Sequence, residues 1–444
     1  MTGLPSLSAG IGRRVISPPK GILLIGYGDR AKGNIGIHDD LTATALVLSD
    51  ETTRVAIVAL DILALNEFIV DRIRARLAPT NVLLCCSHTH SGPIAYADEK
   101  SPRKNRQYIA TLVDNVVAAV QAAESNLRPA RLEYSYGEAD VGINRRETMP
   151  DGHMEIGRNP AGARDRSVQV VSVFADDSQD QNDRTGMRLA TLVNYACHGT
   201  VLGPDNLLVS TDWIGVMRGR VEEELGGLVL FLQGAAANIN PDMYWKDARA
   251  FEMAAEQGLR VADAVLTAVG RGSARMRGTP IGIERDEVWL PTETRATTSR
   301  PPKNYGKPLL SLAKMPGFMA LFADVLLNQR YPWKSTIKTR DGFWSVPMRI
   351  SAARLGDLAL VTFAAETFTE IGMKVKAASP TTRTLFASVT DGCISYLHTE
   401  ASHAEGGYEV DVAPLAYRYP GRLQAGCEQV ALEATKTMLG RLWG

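Results

Sequence analysis

The sequence predicts an α/β fold in which helices flank a large mixed β-sheet. Three observations support this class. Strand-like and helix-like segments alternate along most of the 444 residues, 45% of the residues are hydrophobic while 22% are charged, and no internal repeat or low-complexity linker interrupts the pattern. Alternation of this kind, with an ordinary composition, is typical of layered α/β proteins.

The elements of the first half follow from apolar runs and helical spacing. Continuous apolar runs such as "RVAIVALD" are typical of buried strands, whereas helices place apolar residues three and four positions apart. Strands are expected at 54–61, 81–87, 130–139, 167–175 and 187–197, and helices at 66–78 and 106–126. Each of the two helices therefore follows a strand, as expected for α/β layers.

The second half continues the alternation. Helices are expected at 212–226, 251–269 and 426–443, and strands at 228–234, 356–366 and 383–392. Asp212 stands at the first position of its helix, where an aspartate side chain accepts hydrogen bonds from free backbone N–H groups. We therefore expect Asp212 to cap this helix.

Residues 293–343 differ from the rest of the chain. Pro301, Pro302 and Pro308 punctuate the start of this insertion, and the apolar, helix-like "LAKMPGFMALFADVLL" occupies its middle. We favour an ordinary helical insertion packed on the body. The alternative is a cap over the mouth of an active site, because long insertions often act as lids.

The overall charge and the cysteine usage exclude several classes of protein. Basic and acidic residues balance at 49 each, so the chain lacks the positive surface that nucleic acids and anionic membranes attract. No apolar run is long enough to span a bilayer, and five cysteines do not make a disulfide framework in a chain of this length. The N-terminus shows no export signal. A cytoplasmic protein without stable membrane insertion is expected.

The segment "ILLIGYGDRA", residues 22–31, imitates the glycine fingerprint of dinucleotide-binding proteins. Such a site needs a helix directly after the glycines, so that its first amides meet the pyrophosphate. The glycine-rich "KGNIGIHDDL" follows instead and does not favour a helix. A nucleotide site is therefore not expected.

The segment "LLCCSHTHSGP", residues 83–93, places two of the seven histidines directly after an apolar strand. Because alternate residues of an extended chain share a face, His88 and His90 should point into the same space. One interpretation is a metal ligand beside a second, catalytic imidazole. The other is a pair of polar residues in a strand-end turn.

Further ionisable side chains follow other apolar strands. His198 follows the strand in "LVNYACHGT", Glu366 follows the strand in "ALVTFAAETF", and Tyr396 and Tyr408 lie in a glycine-containing loop after a third strand. Strand exits are where α/β folds build their sites. Taken singly, each residue also has a structural interpretation: a hydrogen-bonded histidine, a helix N-terminal carboxylate, or tyrosines that pack against the core.

The order of these motifs resembles that of the neutral/alkaline non-lysosomal ceramidase family of zinc amidohydrolases, over nearly the whole chain. The matching segments are "GYGDR…GIHDDL", "SHTHSGP", "NYACHGT", "STDWIG", "QGAAANINPD", "AAETF" and "ISYLHTEASHAEGGYEV". The most specific are "HTHSGP" and the two tyrosines of the last segment. The resemblance implies a ceramidase-like catalytic domain over residues 1–444, with the 293–343 insertion within it.

The resemblance also implies the site residues. The implied ligands of a Zn²⁺ ion are His88, His198, Glu366 and Tyr396. His90 corresponds to an active-site histidine beside the metal, Arg145 in "GINRRE" to an active-site arginine, and Tyr408 to a tyrosine near the scissile carbonyl. Two imidazoles, a carboxylate and a phenolate are a ligand set that suits zinc.

The expected reaction is hydrolysis of the amide bond in a small N-acylated substrate by a zinc-bound water. His90 would carry the proton to the leaving amine, and Arg145 and Tyr408 would donate hydrogen bonds to the developing oxyanion. Asp212 has a second interpretation, in which it orients a metal ligand rather than capping its helix. A homo-oligomer is expected only because homo-oligomers are the commonest assemblies of soluble proteins.

Three departures from the family leave the substrate open. Asn240 stands where the family carries a serine once proposed as a nucleophile, the immunoglobulin-like C-terminal domain is absent from the sequence, and no export signal is seen. The substrate therefore need not be ceramide. Two alternatives remain: a zinc hydrolase of a lactone, ester or cyclic amide, and a non-catalytic binding protein with a decayed site.

Overall fold

A computed structural model describes residues 6–28, 30, 32–93, 95, 101–176, 186–243, 249–298, 337–417 and 419–444. Residues 299–336, which make up most of the predicted insertion, lie outside the described residues, so its two interpretations stay predictions. In the part that is described, none of the helices is both long and apolar enough to cross a membrane.

The described strands form a nine-stranded sheet, a five-stranded sheet and three smaller sheets of two or three strands. In chain order they are β1 (Ser8–Val15), β2 (Gly36–Ile37), β3 (Thr42–Ser49), β4 (Arg54–Leu60), β5 (Asn81–Cys86), β6 (Arg128–Glu138), β7 (Gly142–Thr148), β8 (Met154–Asn159), β9 (Ser167–Ala175), β10 (Arg188–Tyr195), β11 (Leu208–Val209), β12 (Leu228–Gln233), β13 (Ile239–Pro241), β14 (Ala274–Met276), β15 (Ile281–Arg295), β16 (Lys338–Arg340), β17 (Phe343–Leu355), β18 (Leu358–Phe363), β19 (Glu366–Thr367), β20 (Thr384–Ala387) and β21 (Tyr396–Leu397).

The helices alternate with these strands. They are α1 (Glu67–Leu77), α2 (Arg103–Ser125), α3 (Trp213–Leu225), α4 (Ala250–Gly270), α5 (Thr369–Ala377), α6 (Glu400–Glu405), a π-helical turn (Tyr408–Val412), α7 (Ala413–Ala416) and α8 (Cys427–Trp443). The sequence fits these bounds. Asn66, for example, caps α1 by accepting a hydrogen bond from the Phe68 backbone N–H at 2.8 Å.

The larger sheet runs in the order β12-β10-β9-β6-β1-β3-β4-β5, and β14 adds to β6. It is mixed: β3 and β4 are antiparallel, whereas β4–β5 and β10–β12 are parallel pairs. In the smaller sheet, β15-β17-β18-β20, the long strands β15 and β17 are antiparallel. The short strand β16 also pairs with β17. β18 and β20 are parallel.

The two sheets face each other across a shared apolar core, with helices on the outside. The core between them combines Leu46, Ile57 and Leu232 of the larger sheet with Leu360 and Leu385 of the smaller one. Helices α1 and α2 cover one part of the outer face of the larger sheet and α3 and α4 another, while α5 and α8 cover the smaller sheet. The predicted fold class, a large mixed sheet flanked by helices, is confirmed.

Candidate active site

The loops that follow three strands converge at one place between the sheets. His88 follows β5, His198 follows β10, and Glu366 follows β18. The two histidine loops are joined directly, because Thr89 and Gly199 form a parallel bridge and the His90 N–H donates to the Gly199 carbonyl at 3.0 Å. Strands far apart in the sequence therefore deliver their terminal side chains to a common space.

Three buried imidazoles form the centre of this site. His88, His90 and His198 each place one ring nitrogen so that the three atoms lie within 4.8 Å of one another. The ring centroids of His88 and His198 are 4.9 Å apart. His88 has a φ of 61°, a conformation that non-glycine residues seldom adopt and that is found preferentially at functional sites.

The imidazoles of His88 and His198 are held in matching orientations. Nδ1 of His88 bonds to the Leu63 carbonyl at 2.9 Å, and Nδ1 of His198 bonds to the Ile239 carbonyl at 3.0 Å. Because a carbonyl only accepts, Nδ1 carries the proton in both rings and Nε2 keeps its lone pair. Backbone carbonyls fix the rings of metal-binding histidines in the same way.

Glu366 faces the two free lone pairs. Its Oε2 lies 3.3 Å from Nε2 of His88 and 3.4 Å from Nε2 of His198. None of these three buried atoms has a hydrogen-bond partner within the described chain. A carboxylate and two lone pairs that point at one another fit a bound cation.

Tyr396 lies next to Glu366 because the short strands β19 and β21 pair these two residues. The Tyr396 side chain is buried, and its hydroxyl oxygen accepts a hydrogen bond from Arg145 at 3.2 Å. Burial and the Glu366 carboxylate raise the pKa of Tyr396 well above its usual value, and the Arg145 cation opposes them. A divalent cation would favour the phenolate further.

His90 is the imidazole without an orienting bond. Both of its ring nitrogens are buried and lack partners within the described chain. Burial lowers the pKa of His90 well below its usual value, so the ring is neutral. Tyr27 packs edge-on against it at 5.0 Å between ring centroids. The geometry allows His90 to act either as a base or as a third imidazole ligand.

Arg145 borders the site from β7. Its Nε donates to Glu409 at 2.8 Å and its two terminal nitrogens donate to Asn240 at 3.3 Å and to Tyr396 at 3.2 Å. The guanidinium lies 6.0 Å from the ring centroid of Tyr408. Burial alone would lower the pKa of Arg145, but the coulombic effects of Tyr396 and Glu409 raise it, so the side chain stays a cation.

Asp212 has the role of a cap in the structure. Its carboxylate accepts hydrogen bonds from the N–H groups of Trp213 and Leu202 at 2.8 Å each, and from that of Val201 at 3.3 Å. Burial is the main cause that raises the pKa of Asp212, to about 6. The carboxylate thus caps α3 and holds the loop that follows His198.

The sequence of residues 8–236 matches the family model described as neutral/alkaline non-lysosomal ceramidase, N-terminal. The chain belongs to this ceramidase family. A neutral ceramidase from Mycobacterium tuberculosis is 27% identical over 222 residues, which cover 46% of this chain and 34% of that protein. For a neutral ceramidase from Pseudomonas aeruginosa the values are 22% identity, 87% of this chain and 66% of that protein. The alignment thus spans only about a third of the first relative.

Solved structures of ceramidases share the fold. The crystal structure of neutral ceramidase from Pseudomonas aeruginosa superposes with a TM-score of 0.72 at 20% identity, covering 99% of this chain and 75% of that chain. A structure described as a ceramidase complexed with C2 gives a TM-score of 0.74 at 19% identity, with 99% and 76% covered. The two-sheet ceramidase architecture is therefore the fold of this chain.

The structure brings together all seven site residues that the resemblance implied. They are His88, His90, His198, Glu366, Tyr396, Arg145 and Tyr408. Two buried groups were not predicted: Glu409, which bonds Arg145, and Arg146, which bonds Glu409 at 2.8 Å. The adjacent arginines of "GINRRE" were the one available signal, since two neighbouring buried cations require a buried acid.

Proposed function

We propose that this member of the ceramidase family is a zinc-dependent amidohydrolase of N-acylated amines. One observation carries the proposal: Nε2 of His88, Nε2 of His198 and Oε2 of Glu366 converge without hydrogen-bond partners within the described residues. Buried polar atoms are nearly always satisfied, so three unpaired atoms that face one another are typical of a cation-binding site. With Tyr396 beside Glu366, the donors are nitrogen and oxygen atoms, which suit zinc.

When bound, zinc would supply an acidified water and a Lewis acid for the substrate carbonyl. The residues around it divide the remaining work. His90, neutral and free of hydrogen bonds within the described part, accepts a proton from the attacking water and returns it to the leaving nitrogen. Among the described residues, Arg145 uses three of its five N–H donors on neighbouring groups, and the other two could donate to the carbonyl oxygen. The ring centroid of Tyr408 lies 6.0 Å from the guanidinium of Arg145, and we propose that its phenol donates to the same oxygen.

An amide substrate is supported by the relatives, which are named neutral ceramidases. Asn240 donates or accepts hydrogen bonds but offers no hydroxyl for acyl transfer, and its Oδ1 is occupied by Arg145 at 3.3 Å. Direct attack by water is therefore the proposed route. A single domain over residues 1–444 and a cytoplasmic location stay predictions.

A panel of substrates tests the reaction class. Zinc-loaded protein is incubated with N-acetyl, N-octanoyl and N-palmitoyl sphingosine, the same acyl groups on 4-nitroaniline, 4-nitrophenyl octanoate and a ten-carbon lactone. The proposal expects free amine from at least one amide, detected by mass spectrometry. Turnover of only the ester or the lactone would support the alternative hydrolase instead.

The matched control is His90→Ala, which should keep its zinc and lose amide turnover. Since a general base typically contributes a factor of about 100 or more, the loss should be easy to measure. If no member of the panel is turned over although zinc is bound, the non-catalytic alternative gains the support that the amidohydrolase loses.

A further inference from the structure

Glu409 is a buried carboxylate that joins two adjacent guanidinium groups. It is only 2% exposed. Its Oε1 accepts from Nε of Arg145 and its Oε2 accepts from a terminal nitrogen of Arg146, both at 2.8 Å. Burying a carboxylate and two guanidinium groups costs free energy of desolvation, which only well-placed hydrogen bonds offset. We therefore expect this arrangement to serve the fold or the site.

The bond at Nε determines where the rest of Arg145 points. Nε is the inner nitrogen of the planar guanidinium, so anchoring it fixes the plane and the direction of both terminal nitrogens. Those nitrogens meet Asn240 Oδ1 and the Tyr396 hydroxyl oxygen. A continuous path of hydrogen bonds therefore runs from Glu409 through Arg145 to Tyr396.

Arg146 attaches the loop that carries Glu409 to β7. Besides Glu409, it donates to the Gly406 carbonyl at 2.8 Å and to Glu405 at 3.1 Å. Glu409 itself lies in the π-helical turn that begins at Tyr408. Single π-helical turns are frequently found at functional sites.

We infer that Glu409 is a positioning residue of the metal site: it holds Arg145 against the phenol oxygen of Tyr396 and thereby strengthens metal binding. An Arg145 N–H group that donates to the Tyr396 oxygen fixes the position of that oxygen and the direction of its remaining lone pairs. Outer groups that orient metal ligands typically contribute about 10- to 100-fold to metal affinity. The inference rests on the proposed function only in taking Tyr396 as a ligand.

Zinc affinity of the intact chain tests this inference without any substrate. Metal-free protein competes for Zn²⁺ with a chromogenic chelator, and the dissociation constant is compared among variants. Glu409→Gln should bind zinc about 10- to 100-fold more weakly than the wild type. The matched control is Glu405→Gln, which also turns a charged bond to Arg146 into a neutral one; among the described residues Glu405 has no hydrogen bond to Arg145, and its side chain is 48% exposed. Its zinc affinity should equal that of the wild type.

A double-mutant cycle separates positioning from a general structural effect. If Glu409 acts through the phenol oxygen, Glu409→Gln should weaken zinc binding in the wild type but add little in a Tyr396→Phe background. Equal losses in both backgrounds, or an unchanged affinity in Glu409→Gln, would overturn the inference.

A second pair of variants controls for the possibility that Glu409→Gln fails to fold. Arg146→Met keeps the charged bond between Glu409 and Arg145, so any change in its zinc affinity measures the loss of the loop attachment alone. Glu409→Gln with Arg146→Met has a neutral bond in place of the charged one but keeps the net charge of the cluster, and its zinc affinity is compared with that of Arg146→Met. The affinity of this double variant should fall as above. Tight zinc binding without amide turnover would refute the proposed function and leave this inference intact, so the two failures are distinguishable.

Discussion

Glu366 and Tyr396 are paired directly across the parallel strands β19 and β21, with the Glu366 N–H donating to the Ser395 carbonyl at 2.8 Å. Two candidate ligands from distant parts of the chain thus share one short backbone pairing. Ser395, just before Tyr396, has a φ of 86°. This sparsely populated backbone conformation lies directly beside the two candidate ligands. Strained residues of this kind are found preferentially at functional sites.

Gly26→Ala should disable His90 without removing the metal. A Cβ on Gly26 would lie 2.6 Å from Cγ and Nδ1 of the His90 ring, and the glycine has a φ of 110°. The ring must therefore move, and amide turnover should fall by about 10-fold or more. Zinc content should stay at the wild-type level, because His90 is proposed to carry the proton to the leaving nitrogen and not to bind the metal. Zinc loss would place His90 among the ligands instead.

The control for this change is Gly152→Ala. Gly152 has a φ of 89°, but a Cβ there would meet nothing within 4 Å. It should cause a similar loss of stability from backbone strain, on the order of 1 kcal/mol, while turnover stays unchanged. Equal turnover losses in the two variants would attribute the effect to strain alone.

Asp212→Ala should destabilise the fold and leave zinc in place. The change removes the acceptor for three buried N–H groups, which should cost roughly 2–4 kcal/mol in the free energy of unfolding, measured with urea. Asp212→Asn keeps one acceptor oxygen and should lose less. A variant that stays folded but binds zinc more weakly would support the alternative, in which Asp212 orients a ligand.

Glu67→Gln should stabilise the protein increasingly as the pH rises from 4.5 through 7. Burial raises the pKa of Glu67 from 4.5 to about 7. The folded chain therefore binds this proton more tightly than the unfolded chain, so the stabilising contribution is full below pH 4.5 and is lost as the pH rises through 7. The glutamine variant avoids that loss. It should gain roughly 1–3 kcal/mol over the wild type at pH 8 and almost nothing near pH 4.5.

Urea unfolding at the two pH values measures the difference. The exposed Glu51 provides the control, because Glu51→Gln should change stability little at either pH. A gain for Glu67→Gln that is as large at pH 4.5 as at pH 8 would contradict the sign of this prediction.

The sequence alone could predict the elements whose side chains are buried on both faces. The strands β4, β5 and β12 are apolar runs with a polar residue only at one end, and their bounds agree with the predicted ones within about two residues. The long pair β15–β17 was not predicted. Its strands carry exposed charged residues such as Asp286 and Glu287, and their pairing depends on distant partners rather than local pattern.

The site was predicted only partly from residue chemistry. Periodicity places His88, His198 and Glu366 at strand exits, but their convergence rested on the resemblance to a family. Glu409 could not be found this way, because a glutamate beside a glycine-rich loop is usually exposed. Contact with Arg145 and Arg146 buries it, and that contact joins segments far apart in the sequence.

Metal content tests the central claim most directly. The chain is purified, loaded with Zn²⁺ and freed of loosely bound metal, and zinc per chain is then measured for the wild type, His88→Ala, Glu366→Ala and His153→Ala. His153 is exposed and pairs with Asp151 and Glu155, so its variant is the matched control. We predict about one zinc ion per chain in the wild type and in His153→Ala, and strong loss in the other two variants. Full zinc occupancy in both site variants, or none in the wild type, would contradict the proposed metal centre.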